Sequence, residues 1–250
     1  MASQGSLVTH KSSSYNNLVI VRAGDHSLHR RWLYPAEYKN FDLAISYFGD
    51  SEGLYADDCD FYEHVKGPKF LPLYDLIINN IDYILQYDAI WLSEDDLDCD
   101  AKTIHEMFRI FHEHELWLAQ PSLTTDSYYS HAITLKKPGL LLRYTNFVEI
   151  MAPIFAKQAL LQCLSTFNKS QSGWGLELAW PKILGDPVDK IAILDAVSIR
   201  HTRQVRSGTL YNVISADPDL EWQLMAKTYN VPLPFEYLTY KEVSSTGAHH

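Results

Sequence analysis

Cysteine is scarce in this chain. Only Cys59, Cys99 and Cys163 occur in 250 residues. No two share a CxxC spacing and the count is odd, which argues against a zinc knuckle and against a disulfide framework. Long apolar runs are missing too, since none approaches the roughly 20 residues needed to span a bilayer. The first stretch, Met1 to Asn17, is polar and Ser-rich without an apolar centre, so it does not read as a signal peptide. Together these absences predict a soluble chain in a reducing, cytoplasmic compartment. Positive charge is also in short supply: 21 Lys and Arg stand against 31 Asp and Glu, for a formal net charge of −10. Arg30-Arg31 and Lys136-Lys137 are brief clusters. Without a basic stripe to neutralise phosphates, sequence-independent nucleic-acid binding is excluded.

What remains is the composition of a globular enzyme, 46% apolar and 21% charged, with 16 Tyr and 6 Trp. Such aromatics line a carbohydrate or nucleotide cleft or simply fill the core. Short apolar runs at Leu18 to Val21, Phe41 to Phe48 and Ala89 to Leu92 read as strands. Helical spacing appears at Leu73, Leu76, Ile77, Ile81, Ile84 and Leu85. Asp100 is placed to cap a helix reaching about His114, with Ile104, Phe108 and Phe111 on its apolar face. An apolar segment from Phe147 to Phe155 precedes a helix over about 157–167, and another strand is expected at Ile191 to Leu194. Asp217-Pro218 opens a final helix to about Tyr229. Alternation of this kind predicts an α/β fold: one domain over 17–240, with a mostly parallel central sheet flanked by helices. Residues 1–16 read as a flexible polar leader and 241–250 as a flexible tail.

The most informative stretch runs from Ala89 to Asp98. A buried strand ends in Glu94, Asp95, Asp96 and Asp98, four carboxylates within five positions. That crowding is unfavourable unless a cation sits there. Oxygen ligands suit Mg²⁺ or Mn²⁺, and open α/β sheets bind ligands at the carboxyl ends of their strands. An acidic turn exposed to water is the plain alternative.

Three further segments carry possible chemistry. Gln171 to Trp180 holds Gly173-Trp174-Gly175, a tight aromatic loop leading into the first turn of a helix that carries Glu177. The helix-end dipole there would keep the carboxylate ionised and able to accept a proton, although acidic residues in first turns also serve capping alone. The stretch from Ile191 ends in Arg200-His201-Thr202-Arg203, where a neutral His can complete a manganese sphere and Arg can pair with phosphate. Surface or hydrogen-bonded roles are commoner for a lone His. After the first strand, Arg22, Ala23, Gly24 and Asp25 could meet a nucleotide, though they form neither GxGxxG nor a P-loop. Lys69, in the Lys66-Gly67-Pro68-Lys69 turn, is either a phosphate contact or an exposed lysine.

Across about residues 17 to 205 the chain resembles a large uncharacterised family of plants and bacteria. Its plant members carry the label "lysine-ketoglutarate reductase trans-splicing related". The likeness rests on Gly24-Asp25-His26-Ser27-Leu28-His29, Asn40-Phe41-Asp42, Tyr47-Phe48-Gly49-Asp50 and Lys66-Gly67-Pro68-Lys69. It continues in Trp91 to Leu97, Ala119-Gln120-Pro121, Phe147 to Pro153, Gly173 to Leu176 and Asp195-Ala196. That family is similar in turn to glycosyltransferases of the GT-A fold, with a strand ending in a D-x-D-type motif, a W-G-x-[DE] loop and a late His.

The resemblance implies roles residue by residue. Glu94-Asp95-Asp96 falls on the acidic motif, while Asp96-Leu97-Asp98 is a literal D-x-D, so two registers are open and Asp96 belongs to both. Glu94, Asp96 and His201 are the expected ligands of Mn²⁺ or Mg²⁺. Arg22, Ala23, Gly24, Asp25, Lys69 and Asp95 are expected around the nucleotide, and Glu177 is expected as the base of an inverting transfer. The implied substrates are a UDP- or GDP-linked sugar donor and a carbohydrate acceptor. A non-catalytic carbohydrate- or nucleotide-binding module, and a metal-dependent phosphohydrolase or nucleotidyltransferase, are the alternatives.

Overall fold

The computed structural model describes residues 15–207 and 214–245. Residues 1–14 of the expected leader and 246–250 of the expected tail lie outside the described residues. The strands are β1 (Asn17–Ala23), β2 (Asp42–Tyr47), β3 (Phe61–His64), β4 (Ala89–Glu94), β5 (Leu97–Asp98), β6 (Leu118–Leu123), β7 (Leu140–Thr145), β8 (Ile154–Ala156), β9 (Ile191–His201) and β10 (Thr239–Ser244). The helices are α1 (His29–Trp32), α2 (Phe70–Asn79), α3 (Ile81–Ile84), α4 (Ala101–Glu113), α5 (Lys157–Cys163), α6 (Leu176–Ile183) and α7 (Pro218–Thr228).

The order across the sheet is β10-β7-β9-β6-β8-β4-β1-β2-β3, with β5 paired to β9 off that path. The half made of β4, β1, β2 and β3 is parallel throughout, as strand–helix alternation predicts. Beyond it the sheet is mixed, because β8 runs antiparallel to both β4 and β6, and β7 to β9. Most of the expected tail's start is strand: Lys241 to Ser244 belong to β10, which pairs antiparallel with β7 at the sheet edge. Charged Lys241 and Glu242 suit an exposed edge.

Alternation along β1 divides the core. Val19, Val21 and Ala23 face a layer containing Trp32 and the apolar side of α4, namely Ile104, Met107, Phe108 and Phe111. Leu18 and Ile20 face the other layer, with Phe70, Leu73 and Ile77 of α2, Leu160 of α5 and Trp180 of α6. Helices therefore cover both faces, and strands buried on both sides read as continuous apolar runs. Asp100 caps α4 as expected, its side chain accepting from the Thr103 N–H at 2.8 Å.

The long strand β9 is held by a charge pair with no local signal in the sequence. Arg143 of β7 donates from Nε to Asp195 Oδ2 at 2.7 Å, and the two side chains are 1% and 0% exposed. Asp195 also accepts from the Lys137 N–H at 2.7 Å, tying the segment before β7 to β9. Removing one partner of such a pair leaves an uncompensated buried charge. Asp195→Ala is therefore expected to cost about 3–5 kcal/mol, measured by urea unfolding. A loss within 1 kcal/mol or so would show that Arg143 finds water or another partner when Asp195 is gone.

Candidate functional site

The chain runs outward from β1 through β2 to β3 and then returns to the other side of β1 as β4. Loops after β1 and β4 therefore diverge, which opens a crevice at their carboxyl ends. Arg22 and Glu94 are register partners there. The crevice has a volume of about 650 Å³ and is walled by the loops after β1, β4 and β9, the segment before β8, and the turn leading into α6.

Glu94, Asp95 and Asp96 close β4 and take different partners. Asp95 is engaged, accepting from the Gly24 N–H at 2.7 Å and from Arg203 at 2.8 Å. Asp96 accepts from His201 Nε2 at 3.1 Å through Oδ2, while its buried Oδ1 has no hydrogen-bond partner among the described residues. Donor atoms of Glu94, Asp96 and His201 all lie within 4.8 Å of one another. Asp98 does not join them; it pairs with Arg31 at 2.7 Å. Geometry thus favours the Glu94-Asp95-Asp96 register over the literal D-x-D.

His201 reaches this cluster because β5 pairs with the end of β9, setting Leu97 opposite His201. Its Nδ1 lies 2.6 Å from the Tyr128 carbonyl oxygen, an acceptor only, so Nδ1 carries the proton and donates. Nε2 is left to face Asp96. Burial lowers the imidazole pKa, but the hydrogen bond and charge of Asp96, with the charge of Glu94, overcome it and lift it to about 9.

Glu177 also lines the crevice, in the first turn of α6 as expected. The turn before it needs both glycines: Gly173 and Gly175 have φ of 85° and 90°, and a Cβ on Gly175 would meet that of Met225 at 2.6 Å. Glu221 of α7 fastens the loop, accepting from the Gln171 N–H at 2.6 Å and the Ser172 N–H at 2.8 Å. Trp174 lines the crevice with Arg206 over its ring at 4.4 Å. Glu177 itself departs from expectation. Burial, far more than the helix-end dipole, governs its charge and pushes its pKa up to about 8, with the nearby Glu149 adding to the rise. The residue is 2% exposed and its Oε2 has no hydrogen-bond partner among the described residues.

Glu149 is a crevice residue to which the sequence pattern assigns no role. The apolar segment from Phe147 becomes a strand only at Ile154; before that it runs beside β4, with the Glu94 N–H donating to the Met151 carbonyl at 3.2 Å. This path carries Glu149 into the crevice, where it is 4% exposed with Oε2 unpartnered. Burial and the charge of Glu94 push its pKa up to about 7. A lone carboxylate inside Phe147-Val148-Glu149-Ile150-Met151 is the available signal.

Residues expected around a nucleotide divide. Gly24, Asp25, Lys69 and Asp95 line the crevice, as does Arg22. Ala23 does not; its side chain points into the core and is 0% exposed, because neighbours along a strand face opposite sides. Arg22 is committed to structure, donating to Ser46 Oγ at 2.8 Å, the Val65 carbonyl at 3.0 Å and the Gly67 carbonyl at 2.9 Å. Lys69 is buried, not an exposed turn lysine. It donates to the carbonyls of Ile150 at 2.6 Å and Met151 at 3.1 Å and lies 3.6 Å from Glu94. Asp25 accepts from the Tyr47 hydroxyl. Among the described residues, no helix is long and apolar enough to cross a membrane.

Comparison with known proteins adds a fold and a partial family match. A family model described as "Protein of unknown function (DUF707)" matches residues 143–224, a span that includes Glu149, Glu177 and His201 but not the acidic end of β4. No curated protein matches the chain. The fold is similar to that of S. aureus TarS, at 9% identity and a TM-score of 0.51 over 88% of this chain. This chain spans only 44% of that one. The S. aureus TarS 1-349 structure gives a TM-score of 0.50 at 9% identity, covering 86% of this chain and 71% of the other. The chain thus has an α/β fold similar to that of TarS.

Proposed function

We propose that this protein is a metal-dependent glycosyltransferase. It moves a sugar from a UDP- or GDP-linked donor to a carbohydrate hydroxyl, with inversion. The observation that carries this reading is the crevice at the switch point between β1 and β4. There the Glu94, Asp96 and His201 donors converge, one buried Asp96 oxygen has no partner among the described residues, and Glu177 lines the same crevice.

The donor set fits Mn²⁺ or Mg²⁺. Two carboxylates supply hard oxygen, and the Nε2 of an imidazole fixed through Nδ1 suits Mn²⁺ in particular. When bound, such an ion supplies Lewis-acid stabilisation of the charge that grows on the departing diphosphate. Asp95, fixed by Gly24 and Arg203, holds the loop after β1 against β4 and so shapes the nucleotide end. Glu177 accepts the proton of the acceptor hydroxyl as that oxygen attacks the anomeric carbon. A base is most effective with a pKa near the working pH, and burial places Glu177 at about 8.

Product analysis tests the reading. With Mn²⁺ and a panel of UDP- and GDP-sugars, the expected products are nucleoside diphosphate and transferred or free sugar. Release of nucleoside monophosphate or inorganic phosphate would identify a phosphohydrolase or nucleotidyltransferase instead. Binding without turnover of any donor and acceptor pair would identify a non-catalytic module.

His201 permits a separate prediction. Mn²⁺ must displace the proton on Nε2, so its affinity should rise with pH up to about 9, well above the ordinary histidine value of ~6.5. His201→Ala should weaken Mn²⁺-dependent diphosphate binding, flatten this slope and shift preference toward Mg²⁺. An unchanged Mn²⁺/Mg²⁺ ratio in the variant, titrated at two pH values, would remove His201 from the ligand set.

A further inference from the structure

Two carboxyls of the crevice wall lack part of their hydrogen bonding. Glu149 and Glu177 are each buried, and each has an Oε2 with no hydrogen-bond partner among the described residues. They lie near enough for the charge of Glu149 to act on Glu177. Arg203, which also lines the crevice, is paired with Asp95 at 2.8 Å. Unpartnered carboxyl oxygens in a buried wall are costly unless a ligand supplies donors.

Among the described residues, the groups facing these two carboxyls offer no cation committed to them. Lys69 already spends hydrogen bonds on the Ile150 and Met151 carbonyls and faces Glu94. His201 is turned to Asp96 at 3.1 Å. His131, which also lines the crevice, is kept neutral by burial and shares a hydrogen bond of 2.6 Å with the Tyr237 hydroxyl. Ser130 is neutral, and the Tyr237 phenol is held protonated by burial and by the charges of Glu177 and Glu149. Arg206 is engaged with Asp219 at 2.6 Å and with Trp174.

We infer that Glu149, together with Glu177, forms a subsite that accepts hydrogen bonds from the hydroxyls of an uncharged sugar and rejects a sugar bearing a carboxylate. This rests on the glycosyltransferase reading and deepens it, with Glu149 as a specificity-determining residue. A hydroxyl-rich ring supplies the missing donors. A uronic acid instead places a further negative charge in a wall whose nearby cations are committed elsewhere, where like charges repel strongly. The raised pKa values of both carboxyls agree with a site built for neutral donors; burial comes first for each, followed by the charge of Glu94 at Glu149 and that of Glu149 at Glu177.

Calorimetry at pH 8 with Mn²⁺ tests this. UDP and GDP alone establish which base binds. The comparison is then UDP-glucose against UDP-glucuronate, or GDP-mannose against GDP-mannuronate. The wild-type protein should bind the neutral sugar nucleotide at least about ten-fold tighter than the acidic one, a difference of about 1.4 kcal/mol. Glu149→Gln should narrow that ratio to roughly three-fold or less, because the amide keeps the shape and removes the charge. Equal wild-type affinity for the neutral and acidic donors, or a ratio unmoved in Glu149→Gln, overturns the subsite while the diphosphate site stands. Failure of both UDP and GDP to bind overturns the glycosyltransferase reading and the subsite with it. The wild-type comparison stands by itself should the variant fold poorly.

Discussion

Asp96→Asn should abolish Mn²⁺-dependent binding of nucleoside diphosphate while the protein stays folded. Asp96 faces both other candidate ligands, and its Oδ1 is the buried atom in this cluster that no described residue satisfies. Changing even a group behind a metal ligand typically costs 10–100-fold in affinity, so loss of a ligand charge is expected to cost at least about 100-fold. The fold should survive, because the amide keeps the side-chain shape and relieves repulsion from Glu94 and Asp95. The backbone anchors at this position are untouched: the Asp96 carbonyl accepts from the Thr202 N–H at 3.1 Å. A second readout follows from electrostatics. With the Asp96 charge gone, burial is opposed by less, so the His201 pKa should fall from about 9. Imidazole resonances titrated by NMR, alongside calorimetry and circular dichroism, separate this outcome from simple unfolding. Mn²⁺-dependent binding that survives in Asp96→Asn would remove Asp96 from the ligand set.

Glu177→Gln is expected to lower kcat by ~10²–10⁴-fold, the usual loss when a positioned general base is removed. Diphosphate affinity should stay within a few-fold, because Glu177 does not belong to the Glu94, Asp96 and His201 cluster. The same substitution should change the pH dependence of stability. In the folded protein Glu177 titrates near 8, above the ~4.3 of an unfolded glutamate. Its neutral form is thus favoured by folding, and the associated stability is fully present below about 4.3 and lost as pH rises through about 8. Glutamine removes that loss. In EDTA, the variant should gain on the wild type by a few kcal/mol between pH 5 and pH 8.5, since a tenfold difference in proton affinity between folded and unfolded states is worth about 1.4 kcal/mol. Parallel stability profiles would mean that Glu177 is hydrated, and near-normal turnover would remove it from the mechanism.

Where periodicity is strong, the sequence pattern and the fold agree. The apolar runs of β1, β2 and β4 are buried on both faces, and the caps Asp100 and Asp217 sit where their side chains meet the first N–H groups of α4 and α7. The four-residue β3, the strands β6 and β7, interrupted by Gln120-Pro121 and by Arg143, and the edge strand β10 lack such a run. Pairing between strands is set by partners distant in the chain, and a polar edge such as Thr239 to Ser244 carries little local signal. The crevice is legible in part for the same reason. Glu94, Asp95 and Asp96 announce themselves as charges ending an apolar strand, and Glu177 follows a loop whose glycines require left-handed backbone. Glu149 and Glu221 acquire their positions only through tertiary contacts, one along β4 and the other across from α7. Ala23 belongs to a segment whose neighbours line the crevice, yet strand alternation turns it into the core. The helix-end dipole does not keep Glu177 ionised, since complete burial outweighs a dipole worth ~0.3–1 kcal/mol at exposed ends.

Isothermal titration of the wild-type protein with UDP and with GDP, each in Mn²⁺ and in EDTA, tests most directly whether a divalent ion joins the acidic end of β4 to a nucleoside diphosphate. One of the two nucleotides should bind at least about ten-fold tighter with Mn²⁺, a gain of about 1.4 kcal/mol or more. Equal affinity in Mn²⁺ and in EDTA would contradict the account.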